Sequence, residues 1–169
     1  MAFLKFKTIK NYVTFLSVIV TLVVTLYAFI PKVLSAMSPI DKSQVEQMLR
    51  KHESFVSDGN IEGMLSVYHP SFSMDVIYDS GRVESFDKSQ IAKHLETMML
   101  IVSTSVEDIT KQVSVVGDNQ ALVSIVMKQK TDLKEMPIVN NTLVYQSMLV
   151  TKYDGEPKIL KVLSASFRE

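Results

Sequence analysis

Residues 141–168 read NTLVYQSMLVTKYDGEPKILKVLSASFR. Two β-branched, apolar-rich runs, Asn141 to Tyr153 and Lys158 to Phe167, flank Asp154-Gly155. That dipeptide takes the paired positive φ angles of a tight hairpin at low steric cost, so the two runs are expected to be antiparallel neighbours. Immediately upstream stand two more runs of the same kind, Val106 to Val116 and Gln120 to Thr131, joined by Gly117-Asp118-Asn119. Asp132 to Asn140, with Pro137, is the longest loop between them and the hairpin. Four long strands in succession predict an antiparallel meander.

The chain before the meander has a different period. Asp41 or Ser43 is placed to cap a helix with Val45, Met48, Leu49, His52, Phe55 and Val56 on one face. Asp58-Gly59-Asn60 stops it. Ile61, Met64, Leu65 and Tyr68 suggest a short second helix closed by Pro70. Phe72, Met74, Val76 and Tyr78 then alternate with Ser73, Asp75, Ile77 and Asp79, the period of a half-buried strand. Asp79-Ser80-Gly81 turns the chain into a short return strand, Arg82 to Phe86. Asp87 and Gln90 form a capping-box pattern for a third helix, with Ile91, His94, Leu95, Met98 and Met99 as its inner stripe. Helices first and a meander last define an α+β domain, an antiparallel sheet with about three helices on one face.

Composition narrows the class of function. Of 169 residues 47% are hydrophobic and 21% charged, enough to build a packed core. The 18 basic and 18 acidic groups are unevenly spread. Lys5, Lys7, Lys10 and Lys32 are the charges of residues 1–40, which leaves the remainder net acidic and unlike a nucleic-acid-binding domain. Cysteine is absent, which removes disulfides, thiolate metal ligands and a cysteine nucleophile. Three widely spaced histidines (His52, His69, His94) do not suggest a metal site. No cofactor motif is present.

Tyr12 to Ile30 is a run without charge, long enough as a helix to cross a hydrocarbon core of ~30 Å. The lysines before it place residues 1–11 in the cytoplasm and everything after it outside. Residues 12–30 therefore read as a transmembrane anchor or a signal segment, 31–40 as a linker and 41–169 as an extracytoplasmic domain, periplasmic in a bacterium. Leu34-Ser35-Ala36 leaves cleavage open, while the length of the run favours retention.

Several short segments of the exported part occur in a suggestive order: Ser57-Asp58-Gly59-Asn60, Tyr68-His69-Pro70-Ser71-Phe72, Gly117-Asp118, and Lys152-Tyr153-Asp154-Gly155-Glu156-Pro157-Lys158-Ile159. In order and spacing they resemble the nuclear-transport-factor-2-like superfamily, including its SnoaL-like members, over about residues 43–168. Asn60, Ser71 and Pro157 stand where that family usually has Asp, Asp and Trp. The resemblance implies a cone-shaped fold, a curved antiparallel sheet closed by the helices around an apolar pocket, and leaves the activity open, since members include isomerases, dehydratases, cyclases, binding proteins and structural subunits.

The pocket so implied would be lined by Phe55, Met64, Tyr68, Phe72, Met74, Tyr78, His94, Met98, Met127 and Tyr145. If Lys152 faces outward, Tyr145, Ser147, Leu149 and Thr151 face inward, and Val144, Met148 and Val150 form an apolar outer face suited to a homodimer. Most of these positions are equally well explained as ordinary core. An acid–base site would need a carboxylate or imidazole inside, with a phenol opposed. The candidates are His94, Asp75 and Tyr78, yet alternation turns Asp75 outward, and no inward carboxylate is expected. The reading that follows is a membrane-tethered ligand-binding or accessory domain. A bitopic scaffold subunit of a secretion or envelope assembly and a SnoaL-type isomerase or dehydratase are the alternatives. A reporter that works only outside the cytoplasm, fused after Glu169, is expected to be active; a reporter active only in the cytosol would overturn the export of this domain.

Overall fold

A computed structural model describes residues 38–133 and 139–168, together with Val20, Thr21 and Thr25, which are helical. Apart from those three positions, the expected anchor at 12–30 lies outside the described residues, as does most of the linker at 31–40. Among the described residues no helix is long and apolar enough to cross a membrane.

Asp41 opens α1 (Lys42–Ser57). Its carboxylate accepts from the Gln44 N–H at 2.9 Å, and Gln44 Oε1 accepts from the Asp41 N–H at 3.4 Å. Such reciprocal capping satisfies two amide donors that a helix start leaves free. Val45, Met48 and Leu49 form the buried stripe of α1. Gly59, at φ 65°, ends the connection after it with the left-handed turn that side chains resist. Asn60 then caps α2 (Ile61–Ser66), its side chain accepting from the Gly63 N–H at 2.8 Å.

The strands follow as β1 (Tyr68–Ile77) and β2 (Val83–Asp87), then α3 (Lys88–Ile101), β3 (Val102–Val116), β4 (Gln120–Leu133), β5 (Val139–Tyr153) and β6 (Glu156–Arg168). Asp87 and Gln90 cap α3 reciprocally, as their spacing predicts, at 2.8 and 2.9 Å. The sheet order is β2-β1-β6-β5-β4-β3. β3 to β6 form the expected antiparallel meander. Asp154 and Gly155 both have positive φ, 51° and 80°, and join β5 to β6.

β1 runs parallel to β6, a pairing the sequence did not disclose because it joins segments some 90 positions apart. Its start also differs from the expected strand at Phe72. Between Tyr68, which pairs with Ile159, and Ser73, which pairs with Lys161, β1 carries a register shift that contains Pro70. An irregular stretch tolerates a residue with no N–H to give the ladder, so Pro70 lies within the strand rather than ending a helix.

The helices lie against one face. On β4, Ala121, Val123 and Ile125 are buried; on β5, Val144, Met148 and Val150; on β6, Ile159 and Val162. The extra residue Leu160 sits at the β6 register shift, which is why the inner positions change from odd to even there. The expected parity of β5 is thus reversed. Val144, Met148 and Val150 face the helices, while Tyr145 is 45% exposed on the outer face. The cause is Lys152. It shares the inner parity but lies past the last buried row, where its charge acts on Asp41, the cap of α1. A lysine at a strand end escapes the core without turning the strand over.

Gly63 sits beneath the ring of Phe55: a Cβ there would lie 2.5 Å from the nearest ring carbon. Gly63→Ala gains roughly 1 kcal/mol of helix propensity, but displacing a packed ring costs about 1–3 kcal/mol. A net loss in thermal stability is expected, partly recovered when Phe55→Leu is added. A melting temperature at or above that of the parent would show that the ring moves freely.

Candidate functional site

The strand register lays out the inner face row by row. Next to α1, the row Val113, Val123, Met148, Val162, Met74 and Phe86 is apolar across all six strands. One step further from the core, Lys111, Ile125, Gln146, Ser164, Val76 and Glu84 stand side by side. Beyond that, Ile109, Met127, Val144 and Ser166 follow. The middle row is therefore a polar band between apolar ones. Ser164, 6% exposed, is the buried polar residue of the described part, and Gln146 beside it is half-buried.

Both charged ends of that band are paired. Lys111 forms an ion pair with Glu53 of α1. Glu84 accepts a hydrogen bond from the Tyr78 hydroxyl at 2.9 Å and lies 3.3 Å from Arg82, whose guanidinium stacks over the Tyr78 ring at 4.6 Å. Burial first, and the Glu84 carboxylate second, push the Tyr78 phenol above its ordinary value, so it acts as a donor. Glu84 corrects the expectation that no carboxylate shares the inner face: five residues of β2 were too few to fix its parity from sequence.

A second polar group lies between α1 and β1. His52 Nε2 and the Tyr68 hydroxyl are 3.1 Å apart, and the Tyr68 ring stacks on Phe72 at 4.2 Å. Burial pushes the imidazole below its usual range, only partly countered by Glu53, and pushes the Tyr68 phenol up to about 12. Both groups are held neutral. Lys88 Nζ donates to the Tyr68 carbonyl at 2.8 Å, and Lys158 Nζ donates to the Ser66 carbonyl at 2.9 Å. The Lys158 ammonium thus satisfies a carbonyl at the end of α2 that has no helical partner, and Lys88 satisfies one at the start of β1. Burial, then the neighbouring Lys158, lowers Lys88; the Lys158 hydrogen bond lowers Glu156.

The expected site residues separate into three groups. Met64 and Phe72 are core, and Phe55, Tyr68, Met74 and Met127 pack against it half-buried. Met98 is half-buried on α3. Tyr78 reaches the inner face beside Glu84. His94 and Tyr145 do not line it. His94 is exposed at the rim of α3 with its ring 5.2 Å from Phe86, because Ile91 and Leu95 take the buried side of the helix. Asp75 faces outward, as alternation predicts, where it accepts from Ser85 at 2.7 Å and pairs with Lys161 at 3.1 Å. The Ser85 hydrogen bond and then Lys161 hold its carboxyl below the usual range. His94, Asp75 and Tyr78 therefore do not converge. The pair the structure does bring together, His52 and Tyr68, had a signal: His52 continues the i, i+3, i+4 stripe of Val45, Met48 and Leu49. Among the described residues no three His, Asp or Glu side chains gather as metal ligands.

Comparison with solved structures identifies the architecture. A ketosteroid isomerase-like protein from Erwinia carotovora atroseptica superposes with a TM-score of 0.59 at 12% identity, covering 74% of this chain and 95% of that one. A chain from Novosphingobium aromaticivorans named for scytalone dehydratase gives 0.58 at 15% identity, covering 74% and 83%. An NTF2-like protein from Cytophaga hutchinsonii gives 0.55 at 12%, covering 76% and 100%. The described domain thus has the NTF2-like α+β fold. No family model matches the sequence, and no curated protein matches it.

The buried imidazole makes a pH prediction. The folded-state pKa of His52 is depressed, so the unfolded chain binds the extra proton first. Its contribution is complete above about pH 6.5 and falls as the pH drops below that value, by up to about 1.4 kcal/mol per pH unit. The depressed carboxyls of Asp41, Asp75 and Glu156 act only at lower pH, near and below the ordinary carboxylate range. Thermal melts of the parent between pH 7 and 5 are expected to fall, and those of His52→Gln to fall less; parallel curves would mean that His52 is not held neutral.

Proposed function

We propose that this chain is a small-ligand-binding or accessory protein of NTF2-like fold, carried outside the membrane by residues 12–30. Its ligand is an apolar molecule with neutral hydrogen-bonding groups, bound on the inner sheet face. The observation that carries this reading is the polar band Lys111–Glu84 set between apolar rows. Its charged ends are engaged by Glu53 and by Arg82 with Tyr78, so Gln146 and Ser164 are the polar groups at its centre. An apolar surface with a few placed polar groups is the usual chemistry of a small-molecule site. The uncharged run at 12–30, preceded by three lysines, supports the tether.

A second reading, proton transfer as in an isomerase or dehydratase, is favoured by one observation, the neutral His52–Tyr68 pair at 3.1 Å. A neutral imidazole accepts a proton and a high-pKa phenol donates a hydrogen bond to a developing oxyanion. It ranks second because the two groups are already bonded to each other.

Full-length protein purified in mild detergent is expected to retain a small apolar molecule detectable by mass spectrometry after denaturation. Val76→Trp, between Ser164 and Glu84 in the band, is expected to lower its occupancy at least roughly tenfold with the circular dichroism spectrum preserved. A parent protein that carries no such molecule and binds no apolar fluorescent probe would overturn the ligand reading. Turnover of a cyclic ketone or alcohol that His52→Ala abolishes would establish the second.

A further inference from the structure

Lysines from three elements gather where α2 gives way to β1: Lys51 of α1, Lys88 at the start of α3 and Lys158 of β6. The backbone draws two of them together. Lys88 Nζ donates to the Tyr68 carbonyl at 2.8 Å and Lys158 Nζ to the Ser66 carbonyl at 2.9 Å. The two carbonyls are separated by a span of chain of at most about 7 Å. Two like charges are therefore held near each other instead of swinging apart in water.

Their counter-charge is short. Glu156 pairs with Lys158 at 2.9 Å, and Lys51 acts on the same carboxylate from α1. Asp87, beside Lys88 in the chain, is turned to the Gln90 N–H as the cap of α3. What acts on Lys88 is burial and then the Lys158 charge, and both disfavour its ammonium. Among the described residues neither Lys51 nor Lys88 has an ion pair. A carbonyl needs one donor and an ammonium carries three, so capping the backbone leaves Lys88 with N–H groups to spare.

We propose that Lys51, Lys88 and Lys158 form a binding site for a phosphate group carrying two negative charges, as inorganic phosphate or a phosphomonoester. None of the three belongs to the polar band of the inner face. The charge count selects the ligand. Three ammoniums set against Glu156 leave a surplus of two. A phosphomonoester carries about that charge at neutral pH. A carboxylate or a phosphodiester carries one and leaves part of the surplus unmet. Lysine binds phosphate as a point charge, which suits a site with donors on three separate elements. The cations are prearranged and the anion is not: Lys88 and Lys158 are half-buried, whereas the Glu156 side chain is 71% exposed and free to swing aside. A dianion seated there would tie α1, α3 and β6 to one another.

The test is calorimetric titration of the full-length protein in nonionic detergent at fixed ionic strength. The probes are inorganic phosphate, phenyl phosphate as a monoester, and phosphatidylglycerol in mixed micelles as a diester. Saturable binding of the first two is expected, with a dissociation constant of about 1 mM or tighter. Lys88→Gln is expected to weaken it at least roughly tenfold, and Lys51→Gln by a smaller factor. Glu156→Gln is expected to tighten it, because a competing carboxylate is removed. Lys93→Gln, exposed elsewhere on α3, is expected to leave it unchanged. Lysines that only cap carbonyls would give no anion-dependent heat and no gain from Glu156→Gln. Absence of saturation by roughly 20 mM phosphate overturns the proposal, as do equal affinities in parent and variants. Preference for phosphatidylglycerol over phosphate also overturns it and assigns the lysines to a lipid surface. Lys51 and Glu156 are both exposed, so their variants decide the matter even if Lys88→Gln fails to fold.

Discussion

The apolar stripe of α1 fixes the orientation of every strand. Val45, Met48 and Leu49 are buried in one cluster with Ala121, Val123, Met148, Val150, Ile159 and Val162. Side chains alternate along a strand, so burying these positions decides which face every other residue of β4, β5 and β6 takes. Burial of one such side chain stabilises by about 1.5–3 kcal/mol, and turning one strand over would forfeit several at once. The helix is itself anchored at its start. The Ile40 N–H donates to the Asp118 carbonyl at 2.7 Å in the β3–β4 turn, and Ile40 joins the same cluster. Cap, stripe and turn therefore act together: Asp41 begins the helix where Ile40 has already docked the chain to the sheet.

That dependence explains what could be read from the sequence. The meander, its two Gly-containing turns and the caps at Asp41 and Asp87 are local features, set by residues within a few positions of each other, and each was legible. Parity in β5 was not, because it rests on α1, some hundred residues earlier, and the strand itself offers two plausible faces. Val144, Met148 and Val150 alternate with Tyr145, Ser147 and Leu149, and both sets contain large apolar residues. Lys152 tipped the choice the wrong way because strand ends do not obey the rule that governs their middles. The parallel β1–β6 pairing was illegible for the same reason: no residue of Tyr68–Ile77 encodes which edge of the meander it will join. His94 shows a third limit, since a helical stripe predicts a face some three residues wide and only its centre is buried.

The site was legible only in part. Tyr78 and Met127 were placed on the inner side by alternation; the Tyr78 hydroxyl reaches Glu84 of the inner band, and Met127 shares a row with Val144. Glu84, Gln146 and Ser164 were missed, because a row across six strands exists only once all five registers are known. His52 was seen as part of a stripe and Tyr68 as part of a pocket; that they touch depends on the approach of α1 to the irregular start of β1. Polar residues on a buried face are thus the least local feature of this sequence, and they are the ones on which a ligand would depend.

The two faces of the sheet depart from the usual arrangement at a few positions. A sheet covered on one side normally keeps apolar residues within and polar ones without. Here the inner face admits Gln146 and Ser164, and the outer face exposes Tyr145 and Phe167. Tyr145 and Gln146 stand back to back on β5, and Ser164 and Phe167 lie three positions apart on β6. Leaving Gln146 and Ser164 half or fully buried costs free energy unless something meets their hydrogen-bonding groups. Leaving Tyr145 and Phe167 in water forgoes burial worth about 25 cal/mol for each Å² of apolar area. Among the described residues no buried side-chain nitrogen or oxygen lacks a hydrogen-bond partner, so the first cost is met within the fold or by water. Replacing Gln146 and Ser164 by apolar residues and Tyr145 and Phe167 by polar ones would make a more conventional sheet. The natural sequence instead keeps polar groups on the inner face and aromatic rings on the outer one.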